Sequence, residues 1–509
     1  MKDKAKGMVC LIGAGPGDPD LITVKGRACL ERADVIIYDY LVNESLLSLG
    51  GQGVELIYVG KRSGHHSMSQ DAINDLLIEK ARLGLTVARL KGGDPFIFGR
   101  GGEEAMALSR AGISFEVVPG ITSAIAVPAY AGIPLTHRDR SSAACLITGH
   151  EDPTKKDSRI NWDALARFDG TLVFLMGIGN LDAIAQTLIE RGRPADSPVA
   201  VIGNGTTARQ RTITGRLSTI HQKVTEANLS PPGIIVIGEV VDLRNHLNWF
   251  ESLPLFGRRI VITRPKDQAA GLINALSALG ALCIALPTIT IAPPASWKGM
   301  DRAIKNLSGY DWILFTSING VRYFFERLHQ AGKDTRDLGG IKIGVIGPKT
   351  GAALTDKGIV PELTPDAYRA EGIVEAMKGH SLSGKRILLP RTTIARDYIV
   401  QELGELGATV DDVEVYRTMK PPMSRDFIES TFAEAAVDLI TFTSPSTVTH
   451  FLALCEGTTI LEKVAAADIA CIGPVTAQKA AHSGLTVSIV PDEYTADGLT
   501  KAIVEFYGP

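Results

Sequence analysis

Gly257 to Ala281 reads GRRIVITRPKDQAAGLINALSALGA, and Gly384 to Ala408 reads GKRILLPRTTIARDYIVQELGELGA. Each stretch opens with a short apolar run suited to a buried strand and continues into an amphipathic segment suited to a helix. The second copy follows the first by about 127 residues, and the correspondence continues in order. DWILFTSINGV from Asp311 matches DLITFTSPSTV from Asp438, IGPKTGAALTDKGI from Ile346 matches IGPVTAQKAAHSGL from Ile472, and AEGIVEAM matches ADGLTKAI. The half of the chain beginning at Gly257 is therefore an internal duplication of α/β units.

Two similar lobes of flavodoxin-like size follow from that duplication, with a ligand expected in the cleft between them at the strand C-terminal ends. Upstream, VCLIGAG, VIIYDYLV, TVARLKGG, FEVVPG, AACLITG, TLVFLMG, PVAVIGNG and GIIVIGEVV alternate with Ala/Leu-rich amphipathic stretches. That is an α/β pattern of buried, mostly parallel strands. Periodicity lapses at NHLNWFESLPLFGRR, Asn245 to Arg259, which places a linker at 248–256 between a half at 1–247 and a half at 257–509.

At 509 residues the chain exceeds a single core. With 53 Lys+Arg against 56 Asp+Glu, it has no general field for nucleic acid or an anionic membrane, so local groups must hold any anionic ligand. Six scattered cysteines without CxxC or Cys/His clustering argue against a metal or a disulfide framework, and a reducing cytoplasm is expected. No uninterrupted apolar span of about 18 residues indicates a membrane segment.

Gly13-Ala-Gly-Pro-Gly-Asp-Pro-Asp20 follows the first strand, and its glycines permit close backbone approach to a ligand. Gly17 and Asp18 break the GxGxxG spacing, and Pro16 and Pro19 remove amide donors, so a dinucleotide cradle fails. Leu90-Lys-Gly-Gly-Asp-Pro-Phe-Ile-Phe-Gly-Arg-Gly-Gly-Glu-Glu104 is richer than a plain turn requires. Its glycines admit an adenine or methionine moiety against the backbone, and Asp94 can accept from a ribose hydroxyl or ammonium group. Phe96 or Phe98 either covers a ring or belongs to the core.

Together with YDYLV, VGKRSGHH, VVPGITSA and GIPLTHRD, these segments resemble the uroporphyrinogen III C-methyltransferases of the tetrapyrrole methylase family, from Met8 to about Trp249. The resemblance implies two α/β subdomains, about 1–134 and 140–247, with S-adenosylmethionine folded in the cleft between them. It places the methyl donor on Pro16, Gly92, Gly93, Asp94, Ile97, Thr122, Ser123, Met176 and Gly205. It makes Asp39 and Lys61 acid/base candidates and Arg100, Glu103 and Arg138 substrate and proton-transfer candidates. Each of these charges competes with the plainer account of a solvated surface group, as do His65 and His66. A homodimer formed through this half is expected.

After Gly257 there is no nucleophile elbow, Walker loop, metal spacing or triad. Small hydroxylated residues recur where helices begin, at Thr316-Ser317, Gly347-Pro-Lys-Thr350, Thr443-Ser444 and Gly473-Pro-Val-Thr476. Ordinary N-capping explains any one of them, whereas four facing one cleft suit carboxylates. The TRP, FTS, IGP and VYRT landmarks are similar to the uroporphyrinogen III synthases. That similarity implies one lobe from 257–290 plus 420–509, another from 292–416, and no cofactor. It places Tyr416 at departure of the substrate hydroxyl and Ser317, Ser444 and Thr476 at its carboxylates. The implied activity is closure of hydroxymethylbilane to uroporphyrinogen III, which the first half then methylates twice to precorrin-2, on the sirohaem or cobalamin route. Two rivals stand beside it: a nucleotide-dependent oxidoreductase, and a methylase regulated by a tetrapyrrole-sensing module that lacks synthase activity.

Overall fold

The computed structural model describes residues 7–60, 68–151, 159–392, 397–419, 429, 432, 436–456, 458–464 and 466–508. The chain divides into two compact units, one of Met1–Ile260, Leu272–Cys283 and Thr500–Pro509, the other of Val261–Gly271 and Ile284–Leu499.

In the first unit, β1 (Met8–Gly13), β2 (Val35–Tyr38), β3 (Glu55–Tyr58), β4 (Thr86–Lys91) and β5 (Ser114–Val118) form a sheet in the order β3-β2-β4-β1-β5. Every pairing in it is parallel. Helices cover both faces, which is why the strands read as continuous apolar runs. Cys10 and Ile12 enter one core cluster and Val9 and Leu11 the other, as the period of two in a strand demands.

A second sheet contains β6 (Ala144–Thr148), β7 (Thr171–Leu175), β8 (Pro198–Gly203), β9 (Arg211–Arg216) and β10 (Gly233–Ile237), in the order β6-β7-β10-β8-β9. Here the expectation of mostly parallel strands holds only for β6 and β7. β10 runs antiparallel to both β7 and β8, and β9 antiparallel to β8. GIIVIGEVV is as apolar as a parallel core strand because both of its faces are buried, and burial carries no information about direction.

The remaining strands are β11 (Arg259–Ile262), β12 (Leu282–Ala285), β13 (Thr290–Ala292), β14 (Trp312–Phe315), β15 (Lys342–Val345), β16 (Arg386–Arg391), β17 (Thr409–Glu414), β18 (Arg417–Met419), β19 (Leu439–Phe442) and β20 (Asp468–Cys471). They build sheets ordered β12-β11-β19-β20 and β15-β14-β16-β17, with a ribbon of β13 and β18. The first of these sheets takes strands from the two ends of the duplicated half, while the second is contiguous in sequence. In the second, Ile313 and Phe315 face one core cluster and Trp312 and Leu314 the other.

Candidate active site

The glycine-rich segments of the first half converge at the C-terminal ends of β1, β2, β4 and β5. Gly15 and Gly93 exchange backbone hydrogen bonds, 3.2 Å from Gly15 N to Gly93 O and 2.7 Å in return. A Cβ on Gly13 would overlap Gly120, and one on Gly120 would overlap the Gly93 carbonyl oxygen, so three strand ends meet backbone to backbone. The loop after β2 joins them, with Asn43 donating to the Gly17 carbonyl at 2.7 Å and Leu41 lying against Gly92.

Asp94 is the tie of this assembly. Its Oδ1 accepts from the backbone N–H groups of Phe96 and Ile97 at 2.8 and 3.1 Å, and its Oδ2 from Gly120 at 3.0 Å. The carboxylate expected on a ribose or an ammonium group thus spends most of its capacity on the backbone. Phe96 is 55% exposed and Phe98 is also exposed, which overturns the core account of both.

Gly93 has φ +68°, and the nearest neighbours of a Cβ there would be Ser123 N and Thr122 Cα, 3.7 and 3.8 Å away. Any side chain at 93 would therefore project into the gap bounded by Thr122 and Ser123, which suits a ligand lying directly on backbone. Pro16, Gly92, Gly93, Asp94, Ile97, Thr122 and Ser123 are brought together by these loops. Gly205 joins from the loop after β8: an added Cβ there would overlap Val127, and one on Gly17 would come within 3.1 Å of the Gly205 carbonyl oxygen. Met176 lies at the end of β7 with φ +57° and a half-exposed side chain.

Backbone strain concentrates here. Among the described residues, the positive-φ positions other than glycine are Phe98, Arg100, Met176, Asn204, Thr206 and Asn228, and all but the last lie in these loops. Thr206 is the costliest, because a β-branched residue at φ +63° is crowded. Its buried hydroxyl accepts from Asp18 N at 3.1 Å and its N–H donates to Gln210 Oε1 at 2.8 Å. Sequence reading passed over Thr206, since nothing in GNGTT signals left-handed backbone at a threonine.

A buried charge cluster lies beneath the site. Glu104 is 0% exposed and its Oε1 receives Lys91 Nζ at 2.8 Å, Arg89 Nε at 3.2 Å and Gln70 Nε2 at 3.3 Å. Arg89 reaches on to Asp39, Nη2 to Oδ2 at 3.3 Å. Burial, with Arg89 adding to it, lowers the pKa of Lys91 below the usual lysine value. Arg89 and Lys91 alternate inside the apolar strand TVARLK, and charges within a buried run were the signal available to find them.

Asp39 is partly buried, with its other oxygen accepting from Leu41 N at 3.2 Å. Arg100 and Glu103 form an exposed bidentate pair at the start of the helix Gly101–Arg110, Nη2 to Oε2 at 2.7 Å and Nε to Oε1 at 2.9 Å. That bond holds the Glu103 carboxyl below its ordinary pKa and Arg100 above its own. Arg138 is exposed on a shallow depression with His137 and Ser141. Lys61, His65 and His66 lie outside the described residues. A larger groove of about 500 Å³, lined by Ala129, Ile133, His246 and Trp249, contains none of the candidate residues.

In the duplicated half, Ser317 and Tyr416 meet: their hydroxyl oxygens are 3.1 Å apart, and Ser317 Oγ also caps its helix by accepting from Gly320 N at 3.0 Å. Tyr416 is buried and stacked on Tyr323, with ring centroids 6.1 Å apart. Burial raises its pKa, and the bond to Ser317 works in the opposite direction. Ser444 caps the helix Pro445–Cys455 in a reciprocal capping box with Thr447. Thr476 is only 4% exposed in the first turn of Pro474–His482, whereas Val475 beside it is 69% exposed, so the apolar side chain is the one presented to solvent there.

Residues 8–221 match the family described as Tetrapyrrole (Corrin/Porphyrin) Methylases, and residues 270–501 match Uroporphyrinogen-III synthase HemD. The Porphyrin biosynthesis protein HemD of Ruminiclostridium josui is 38% identical over 502 residues, 99% of this chain and 98% of that protein. The S-adenosyl-L-methionine-dependent uroporphyrinogen III methyltransferase of Methanosarcina barkeri is 52% identical over 241 residues, 47% of this chain and 94% of that protein. A crystal structure of uroporphyrin-III C-methyl transferase from Thermus thermophilus with S-adenyl homocysteine is 38% identical and covers 46% of this chain and 99% of that one, with a TM-score of 0.39.

Proposed function

The chain belongs to the family of porphyrin-biosynthesis proteins that join a tetrapyrrole methylase to a uroporphyrinogen-III synthase, and from that membership we propose that its halves catalyse consecutive reactions. The second half closes hydroxymethylbilane to uroporphyrinogen III, losing water and inverting the last ring. The first half transfers two methyl groups to that product, giving precorrin-2. One observation carries the reading: both family regions lie in one chain that is related end to end to a single porphyrin-biosynthesis protein.

S-adenosylmethionine, when bound, supplies an electrophilic methyl group on a sulfonium. The backbone of Gly92, Gly93, Thr122 and Ser123, with Pro16, Ile97, Met176 and Gly205, holds it in this reading, and Asp94 fixes the loop on which it rests. Asp39 takes the proton lost from the alkylated macrocycle, its carboxylate aimed by Arg89 and by Leu41 N. Lys61 serves the same proton chemistry, and Arg100, Glu103 and Arg138 meet the substrate's carboxylates and protons.

In the synthase half, Tyr416 assists departure of the hydroxyl group. Ser317 is then a positioning residue, since its Oγ is engaged with the Tyr416 phenol and with its own helix. Ser444 and Thr476 stand at helix starts that favour carboxylates. The domain division we adopt is 1–247, 248–256 and 257–509, with synthase lobes 257–290 plus 420–509 and 292–416. The assembly is a homodimer through the methylase half, working in the cytoplasm without a nucleic-acid partner. No helix among the described residues is long and apolar enough to cross a membrane.

Incubation of the full chain with hydroxymethylbilane, followed by isomer analysis, tests the reading. The type III isomer is expected without the methyl donor, and a dimethylated product with it. Type I product alone would remove the synthase assignment and leave a sensing module, and unmethylated product in the presence of donor would remove the methylase assignment.

A further inference from the structure

The duplication places one arginine in two different electrostatic settings. Arg264 and Arg391 occupy the same position in the repeated stretch, after β11 and at the end of β16. Arg391 is 3% exposed, and its guanidinium grips Asp412 on the adjacent parallel strand β17, Nε to Oδ1 at 2.9 Å and Nη2 to Oδ2 at 2.7 Å. This is the fork-to-fork pairing that makes arginine a carboxylate receptor.

In the other copy the position corresponding to Asp412 is Ala285, at the end of β12, which neighbours β11 as β17 neighbours β16. The arginine is present in both copies and the carboxylate in only one. Arg264 is half-buried, and among the described residues its guanidinium has no hydrogen bond or ion pair. Burial lowers its pKa, with no neighbouring charge acting against it. A partly desolvated guanidinium without an anion is destabilising, and it becomes favourable when a ligand brings the anion.

The position of Arg264 identifies the ligand's side of the sheet. Thr263, one residue before it, is fully buried and donates from Oγ1 to the Thr441 carbonyl at 2.7 Å, which fixes this point beside the end of β19. Two residues beyond β19 lies Ser444, the cap of the helix Pro445–Cys455. Arg264 therefore belongs to the end of the sheet where a helix N-terminus opens, and ligands of open α/β sheets bind at the C-terminal ends of strands.

We propose that Arg264 is a substrate-binding residue of the synthase site and takes one carboxylate of the linear tetrapyrrole in the bidentate geometry that Arg391 makes with Asp412. This rests on the synthase reading given above. The test uses the full chain with the substitutions Arg264→Met, Arg264→Lys and, for comparison, Arg391→Met. With hydroxymethylbilane as substrate, Arg264→Met should raise KM at least tenfold with a smaller change in kcat, and should flatten the dependence of KM on ionic strength. Arg264→Lys should fall between Arg264→Met and the parent chain, because a point charge replaces a fork.

Thermal unfolding separates binding from structure. Arg264→Met should hold or raise Tm, having no partner among the described residues to abandon, whereas Arg391→Met should lower it by stranding Asp412. A KM within twofold of the parent, or loss of folding in Arg264→Met, overturns the proposal. If the parent chain itself makes no type III isomer, the synthase reading fails instead, and that result is obtained before any variant is made.

Discussion

Asp94 shows how a residue legible as functional acquires a different job once the backbone is placed. Its carboxylate accepts three backbone N–H groups, so Asp94→Asn would turn an NH₂ toward an N–H and leave a donor unsatisfied. The expected outcome is a loss of about 1–3 kcal/mol in unfolding free energy, with S-adenosylhomocysteine binding weakened at least tenfold by titration calorimetry. Unchanged affinity would show that the loop binds donor without this tie. Tyr416 separates packing from chemistry, because Tyr416→Phe keeps the stack on Tyr323 and removes only the hydroxyl bonded to Ser317. Its stability should change by no more than about 1 kcal/mol, while closure of hydroxymethylbilane slows at least tenfold in a stopped assay; an unaltered rate assigns the ring to packing alone. Glycine and proline density marked these loops as more than plain turns, since those residues have few other uses in such density. Thr206 stayed hidden because its left-handed backbone is held partly by Asp18, which is near it only in three dimensions, with Gln210 four residues on accepting from its N–H.

The helix Gly101–Arg110 and strand β4 are joined by charge rather than by apolar contact alone. Glu104 on the helix receives Arg89 and Lys91 from the strand, and all three are buried. Removing one member of such a cluster leaves the others uncompensated, so Glu104→Gln should cost about 3–5 kcal/mol, read from urea unfolding. A loss below about 1 kcal/mol would mean that the cluster rearranges around water. The buried strands and their order along the chain were legible because apolar runs between glycines leave little choice, whereas the more exposed β3 and β9 and the antiparallel sense of β10 were not. Strand direction depends on the length and path of the connection, and a run with two buried faces reads the same in either sense. The duplication located matched strands but did not single out Arg264, which only the pairing of β16 with β17 and the Arg391–Asp412 contact made visible.

Across the molecule, thiols set an alkaline limit. Burial pushes Cys10 and Cys283 up to about 11, and Cys455 and Cys471 up to about 12, from an ordinary 9.0. The unfolded chain ionises these groups first, so their contribution is complete below pH 9 and is lost as pH rises toward the folded values. Tm should hold steady up to about pH 9 and decline above it, and these four thiols should resist a thiol reagent until the chain unfolds. Replacing the four with alanine or valine should flatten that alkaline limb, and an undiminished slope would assign it to other groups. The order of the methylase and synthase regions was readable from motif order. The assembly of one sheet from both ends of the second half, β11 and β12 with β19 and β20, bears on biosynthesis. During translation β11 and β12 leave the ribosome about 150 residues before β19, a wait of roughly ten to thirty seconds at ordinary elongation rates. The intervening sheet completes itself meanwhile, so the nascent protein carries an unfinished apolar edge until β19 and β20 emerge.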